Sequence, residues 1–483
     1  MRNIKLREHQ AEAIESIEEN NYIGLLEMAT GTGKTITSLE AANRYYKIKQ
    51  RQFLVIIVPF LHLIDQWKED FPIFNINKFI RVAGNKNSWY PKLKNKIWDY
   101  NRGFTDRVVV IGSYKSICND SCQKLLDIVE KQEAMLISDE CHYIGSRSYS
   151  DNIFYKFNSR IGLSATPKRW WDEEGTNSIL KLFNKIVYEY DLNKAIEKGI
   201  LTPYEYKPNL VSLDEEELNE YILYSLRIAF IAANDPLSEE DELYLQRLAI
   251  KRASIIQKAS EKIPKLINLL RDQKDKSHTL IYVAPGEVEE VIKKLSILNL
   301  KIRRFDSTLS NKERIRVLNL FASGYIDVLV AIKCLDEGVD VPSTRVAYFV
   351  SSTSNPREFI QRRGRVLRKY PGKGKATIHD FIVLQDGLDI NTLESIASRE
   401  LPRFVEFSNG AKNKYSIEER KEISEILSEY DLDMYLYMDP WDMYYKMLEE
   451  LEEYNEFTKG YNWYYKKSNW RWFNNWIYRR NQG

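Results

Sequence analysis

A chain of 483 residues, 43% hydrophobic and 29% charged, is too long for one ordinary core and has the apolar material for two or three. Its net charge of +2 is nearly neutral, so bulk charge does not by itself point to nucleic acid. No apolar run approaches the roughly 20 residues of a membrane span, and the opening MRNIKLREHQ lacks the apolar segment of a signal peptide, which makes the cytoplasm the expected compartment.

The elements, in chain order, begin with a strand in NYIGLLEM (21–28), a small-residue loop ATGTG, and a helix KTITSLEAANRYY. FLVIIVP (53–59), RVVVIGS (107–113), AMLISDE (134–140) and SRIGLSATP (159–167) read as buried strands, short and β-branched, with charged helical stretches between them. That alternation predicts a parallel sheet covered on both faces. A polar, largely helical connector spans 208–265. A second series follows: SHTLIYVAP, KIRRFDST, IDVLVAI, RVAYFVSS and KATIHDFIVL. In the helix SNKERIRVLNLFASG (310–324), Ile315, Leu318 and Phe321 recur at helical spacing and Gly324 is the stop signal.

The expected organisation is α/β, two tandem RecA-like parallel-sheet domains with a helical, aromatic-rich C-terminal extension. The boundaries read as 1–207, a 208–265 connector, 266–390, and 391–483. In the last segment SIEERKEISEILSEY is amphipathic, with Ile423, Ile426, Leu427 and Tyr430 on one face. Residues 414–456 carry 14 acidic and 4 basic side chains; 457–483 carry 6 basic and no acidic ones.

The stretch MATGTGKT (28–35) is spelled like a phosphate loop, though Met28 stands where the first glycine is usual. Gly31 and Gly33 let the backbone approach phosphate oxygens, and the N–H groups of Thr30, Gly31, Thr32 and Gly33 add to the positive potential of the helix start. Lys34 offers a mobile charge to the β/γ-phosphates and Thr35 a hydroxyl to Mg²⁺. A glycine-rich turn before a helix is the alternative reading. About a hundred residues on, LISDECH places Asp139 and Glu140 at a strand end, where one carboxylate can hold a hydrated Mg²⁺ and the other orient and deprotonate water. Two solvated acids at a strand end are the alternative there. Cys118, Cys122, Cys141 and Cys334 are scattered, and the five histidines form no cluster, so a structural zinc site and an HNH-type nuclease centre are not expected.

DECH resembles the DEAD/DEAH-type box of superfamily 2 helicases. LREHQ (6–10) is similar to the glutamine motif, IVPFLHLIDQW (57–67) to motif Ia and GLSATP (162–167) to motif III. TLIYVAP (279–285) resembles motif IV, CLDEGVDVP (334–342) motif V, and QRRGRVLR (361–368) motif VI. The phosphate loop of this family is often spelled with glycines only where Gly31 and Gly33 stand, so Met28 is tolerable. The resemblance covers roughly residues 5–385 and is nearest the branch of restriction-enzyme motor subunits and XPB/Rad25-like DNA translocases. It implies a motor whose cofactors are ATP and Mg²⁺. Gln10 would read the adenine edge and Asp340 would meet the ribose. Thr35 and Asp139 would take the metal. Gln361 would place the water, Arg362 would support the cleft, and Arg365 and Arg368 would serve as arginine fingers.

The expected partner is DNA, duplex or single-stranded, gripped by its phosphates, with Arg81, Ser113, Lys115, Lys168 and Arg169 as contacts. Ile332, followed by Lys333, and Phe60 stand where many relatives carry threonines that grip a strand. RNA is the alternative partner, and a binding module with a degenerate ATPase the alternative function. No second nuclease site is seen, so any cleavage would fall to another subunit. Nine aromatics in 461–480, interleaved with Lys466, Lys467, Arg471, Arg479 and Arg480, suit either base stacking or docking on a protein partner.

Overall fold

The computed structural model describes residues 5–432 except 147, 150–151, 169–171, 234–236, 307 and 333–340. Arg169, Asp340, Cys334 and the aromatic tail therefore lie outside the described residues. Residues 1–422 form one compact unit that holds both sheets.

The first sheet contains β1 (Ile23–Met28), β2 (Gln52–Val58), β3 (Ile80–Val82), β4 (Arg107–Ser113), β5 (Ala134–Ser138), β6 (Ser159–Ser164) and β7 (Ile186–Tyr190). Their order is β3-β4-β2-β5-β6-β1-β7, with every pairing parallel. Central β2 is buried along its whole length because helices cover both faces, which is why its sequence is a continuous apolar run. All strands point the same way, so the loops after β1, β2, β5 and β6 share one rim, where open α/β sheets bind ligands.

The second sheet contains β8 (Tyr204–Val211), β9 (Thr279–Tyr282), β10 (Ile302–Phe305), β11 (Val328–Ala331), β12 (Val346–Phe349) and β13 (Ala376–Val383). Its order is β10-β11-β9-β12-β13-β8, again all parallel. The two sheets and their covering helices are the first and second lobes.

Three features differ from the sequence reading. β8 straddles the 207/208 boundary, yet it pairs with β13 from Tyr204 opposite Ala376 to Val211 opposite Val383. It therefore belongs to the second sheet. The helix Ile390–Asn409, read as the start of the extension, buries Leu393, Ile396, Leu401, Phe404 and Phe407 and packs on β13. It also carries Arg403, which holds Asp380 of β13 at 2.8 Å and Glu400 at 3.1 Å, all nearly solvent-free. Tyr206 of β8 donates to the same Asp380 at 2.9 Å, so this buried charge cluster has the hydrogen bonds it needs. Third, the helix Asn311–Ala322 forms as expected and buries Phe321, but Ile315 is 62% exposed. That helix lies along edge strand β10 and is covered on a narrow stripe only.

The connector contains a helical pair, Glu215–Ala232 and Glu239–Gln257, each opened by a capping box (Asp214 with Glu217, Ser238 with Asp241). Farther on, Glu419–Ser428 is helical, inside the stretch with the amphipathic pattern. Among the described residues, no helix is long and apolar enough to cross a membrane.

Candidate active site

The loop after β1 turns through Gly31 (φ +85°) and Gly33 (φ +94°), both in the left-handed region open to glycine. A Cβ at Gly33 would also collide with the Gln10 amide. Lys34 then opens the helix Lys34–Lys49, leaving the helix start and its free N–H groups facing the rim. Lys34 Nζ donates to the Met28 carbonyl at 3.0 Å. Burial pushes its ammonium below the ordinary lysine value, and Glu140 and Asp139 pull it back up.

At the end of β5 the two acids are held differently. Asp139 N–H donates to Ile57 O on β2 at 2.8 Å, and Tyr114 OH donates to Asp139 O at 2.7 Å. Its carboxylate accepts from Trp67 Nε1 at 3.1 Å and from Glu140 N–H at 3.0 Å. Burial first, and Glu140 second, push the Asp139 carboxyl up to about 6. Glu140 adopts a left-handed backbone (φ +46°), a conformation that costs a non-glycine residue about 1–3 kcal/mol. Its Oε2 is buried, accepts no hydrogen bond, and lies 3.5 Å from His142 Nδ1.

The second lobe contributes the helix Pro356–Val366, capped by the Asn355 side chain, which accepts from Arg357 N–H at 3.1 Å. Arg357, Gln361 and Arg365 follow at four-residue spacing on one face, with Arg368 a turn further on. The opposite side is structural. Arg363 is buried and bonded to Glu406 and to the Tyr204 hydroxyl. Arg362 lies over the Tyr282 ring at 5.2 Å. Gly364 faces the phosphate loop so closely that a Cβ there would sit on Thr30 Oγ1. Buried Lys373 donates to Val366 O, to Arg368 O at 3.0 Å and to Pro342 O at 3.1 Å, placing a cation at the carbonyl end of the arginine helix. The lobes also meet where Thr202 N–H donates to Leu367 O at 2.7 Å and Arg357 to Lys168 O at 3.3 Å.

Between the lobes lies a cavity of about 690 Å³. Thr30, Gly31, Gly33, Lys34, Thr35, Asp139, Glu140, Gln361, Arg365 and Arg368 all line it. Thr32 and Gln10 do not. The Thr32 hydroxyl is buried and donates to Ala29 O at 2.7 Å. Gln10 is buried behind the loop, its amide 3.4 Å from Gly33 O and its carbonyl accepting Arg7 N–H at 3.0 Å. In this structure its amide braces the loop. The neighbouring His9 does the same, 2.9 Å from Thr32 O and stacked on Tyr190. Trp67, Gln66, Asn355, Arg357, Glu358, Phe60 and His142 also line the cavity and were not foreseen as site residues.

The residues assigned to nucleic acid are scattered. Arg81 pairs with Asp65 at 2.7 Å. Ser113 is buried and donates to Ser116 Oγ at 3.1 Å, so its side chain is not at the surface. Lys115 and Lys168 are exposed.

Residues 3–169 match the family described as type III restriction enzyme, res subunit, and residues 261–370 match the helicase conserved C-terminal domain. The DNA 3'-5' translocase XPB2 of Sulfurisphaera tokodaii is 28% identical over 385 residues, 76% of this chain and 79% of that protein. The putative DNA 3'-5' helicase Rad25 of Haloarcula marismortui is 24% identical over 369 residues, 76% of this chain and 51% of that one. In fold, the chain is similar to the ATP-dependent Type ISP restriction-modification enzyme LlaBIII bound to DNA. The TM-score is 0.56 at 19% identity, covering 85% of this chain and 31% of that larger one.

Proposed function

The chain is a superfamily 2 helicase of the branch that holds XPB/Rad25-like proteins and restriction-enzyme motors, and from that premise we propose that it is an ATP-dependent DNA helicase or double-stranded DNA translocase. The observation that supports this most is the single cavity lined by the acid pair of one lobe and the arginine face of the other. A nucleotide with its divalent cation fits there: the loop glycines, Lys34, the acids and the arginines converge, and the buried Glu140 Oε2 still lacks a donor.

In this reading Lys34 and the loop N–H groups bind the phosphates. The Thr35 hydroxyl and Asp139 would hold Mg²⁺, which supplies charge neutralisation at the phosphate oxygens when bound. Glu140 orients the attacking water and takes its proton, with Gln361 helping to place that water. Arg365 and Arg368 stabilise the charge that develops on the transferred phosphoryl group. Asp340 is assigned the ribose. ATP favours the closed arrangement because it touches both lobes, and hydrolysis removes that differential affinity.

DNA is the proposed track, held by phosphates, with Lys115 and Lys168 as exposed contacts and Arg81 available if its pair with Asp65 opens. Any docking site for a nuclease or other partner is assigned to the part of 391–483 that follows the helix Ile390–Asn409, since that helix packs on β13. The test is ATP turnover with duplex DNA, single-stranded DNA and RNA. Stimulation by DNA supports the reading, and stimulation by RNA alone overturns it in favour of an RNA-dependent ATPase.

A further inference from the structure

Trp67 closes the helix segment LHLIDQW of Leu61–Asp70, and its 2% exposure would ordinarily mark it as core. It is also part of the cavity wall, and its indole N–H donates to Asp139 Oδ2 at 3.1 Å. The indole nitrogen donates and cannot accept, so it pairs with a carboxylate oxygen in one sense only. The other oxygen, Oδ1, accepts the Glu140 N–H at 3.0 Å. Each carboxylate oxygen has two lone-pair sites, so both retain capacity for a ligand while the group cannot rotate freely.

We infer that Trp67 is a positioning residue: its indole N–H fixes the rotation of the Asp139 carboxylate, so that the acid faces the nucleotide's divalent cation. This rests on Asp139 being the cation-holding acid. Residues that orient metal ligands typically change metal affinity or activity by about 10–100-fold when removed.

The test compares Trp67→Phe, which deletes the N–H, with Trp67→His, which keeps a ring N–H. Trp67→3-benzothienylalanine covers the case in which packing fails, because it removes the N–H at constant ring shape. The readouts are kcat, the KM for ATP, and Mn²⁺ binding in the presence of ADP by electron paramagnetic resonance, which requires no turnover. The N–H deletions should lower kcat and Mn²⁺ affinity about 10–100-fold with the KM for ATP unchanged, and His should recover part of the loss. Mn²⁺ affinity and kcat equal to the parent's in a folded N–H deletion would overturn the inference. Asp139→Asn separates the two levels: if it also keeps full activity, the reading of Asp139 fails; if it is inactive while the Trp67 variants are not, only the role of Trp67 fails.

Discussion

The two lobes bring different materials to one cavity. The first lobe's contribution is pinned: Asp139 is fixed by β2, Tyr114, Trp67 and the Glu140 N–H, and the glycine loop is braced by Gln10 and His9. The second lobe presents side chains from one helix face, anchored on its far side by Arg362, Arg363 and Lys373. The difference teaches how such a motor can divide its work. On the proposed reading the first lobe carries the phosphate- and cation-binding groups, and the second carries arginines that act when the lobes close. On that reading the general base Glu140 stays with the phosphate and cation groups of the first lobe, and the second lobe adds the arginines, whose effect on rate depends on contacts made in the transition state.

Variants of either wall test that division. The largest effect expected is from Arg365→Ala and Arg368→Ala, each lowering kcat by about 10³–10⁵-fold if it acts as an arginine finger, read as ATP turnover at saturating substrate. Next, Glu140→Gln should cost about 10²–10⁴-fold in turnover, as loss of a general base does, while ATP binding persists; an unchanged rate would remove Glu140 from the chemistry.

A smaller effect is expected at the seam. Gly364→Ala pushes a methyl onto Thr30 and should destabilise the closed arrangement by about 1–3 kcal/mol, seen as a lower melting midpoint in the presence of a non-hydrolysable nucleotide. The smallest effect lies away from the cavity. His379 of β13 stacks on Tyr348, and burial, helped by Lys207, depresses it from its ordinary value to about 3. The unfolded chain takes up this proton first, so the stability contribution is complete above about pH 6.5 and is lost as pH falls toward the folded value. The loss amounts to roughly 1.4 kcal/mol near pH 5.5, and His379→Gln should flatten the fall in melting midpoint over that range.

Much of this was legible in the chain itself. The ten segments read as strands all appear as strands, and most were legible because parallel strands buried on both faces need nearly uninterrupted apolar sequence. The phosphate loop, the acid pair and the arginine helix were legible because their chemistry depends on local spacing. What escaped notice depends on distant contacts. Trp67 meets Asp139 across 72 positions, and nothing near it in sequence separates a core tryptophan from one donating to a carboxylate on the cavity wall. β8 joins β13 across some 170 residues, so only the folded sheet reveals its membership. Ser113 was expected to contact nucleic acid, but the short helix Tyr114–Ile117 turns back at that point and Ser116 accepts from its hydroxyl.

The most direct test of the division between the lobes is the equilibrium affinity for a fluorescent ATP analogue in Arg365→Ala and Arg368→Ala, measured beside Lys34→Ala. The account predicts a much smaller loss of affinity in the two arginine variants than in Lys34→Ala, despite their lost turnover. Arginine variants that lose affinity as severely as Lys34→Ala would contradict it.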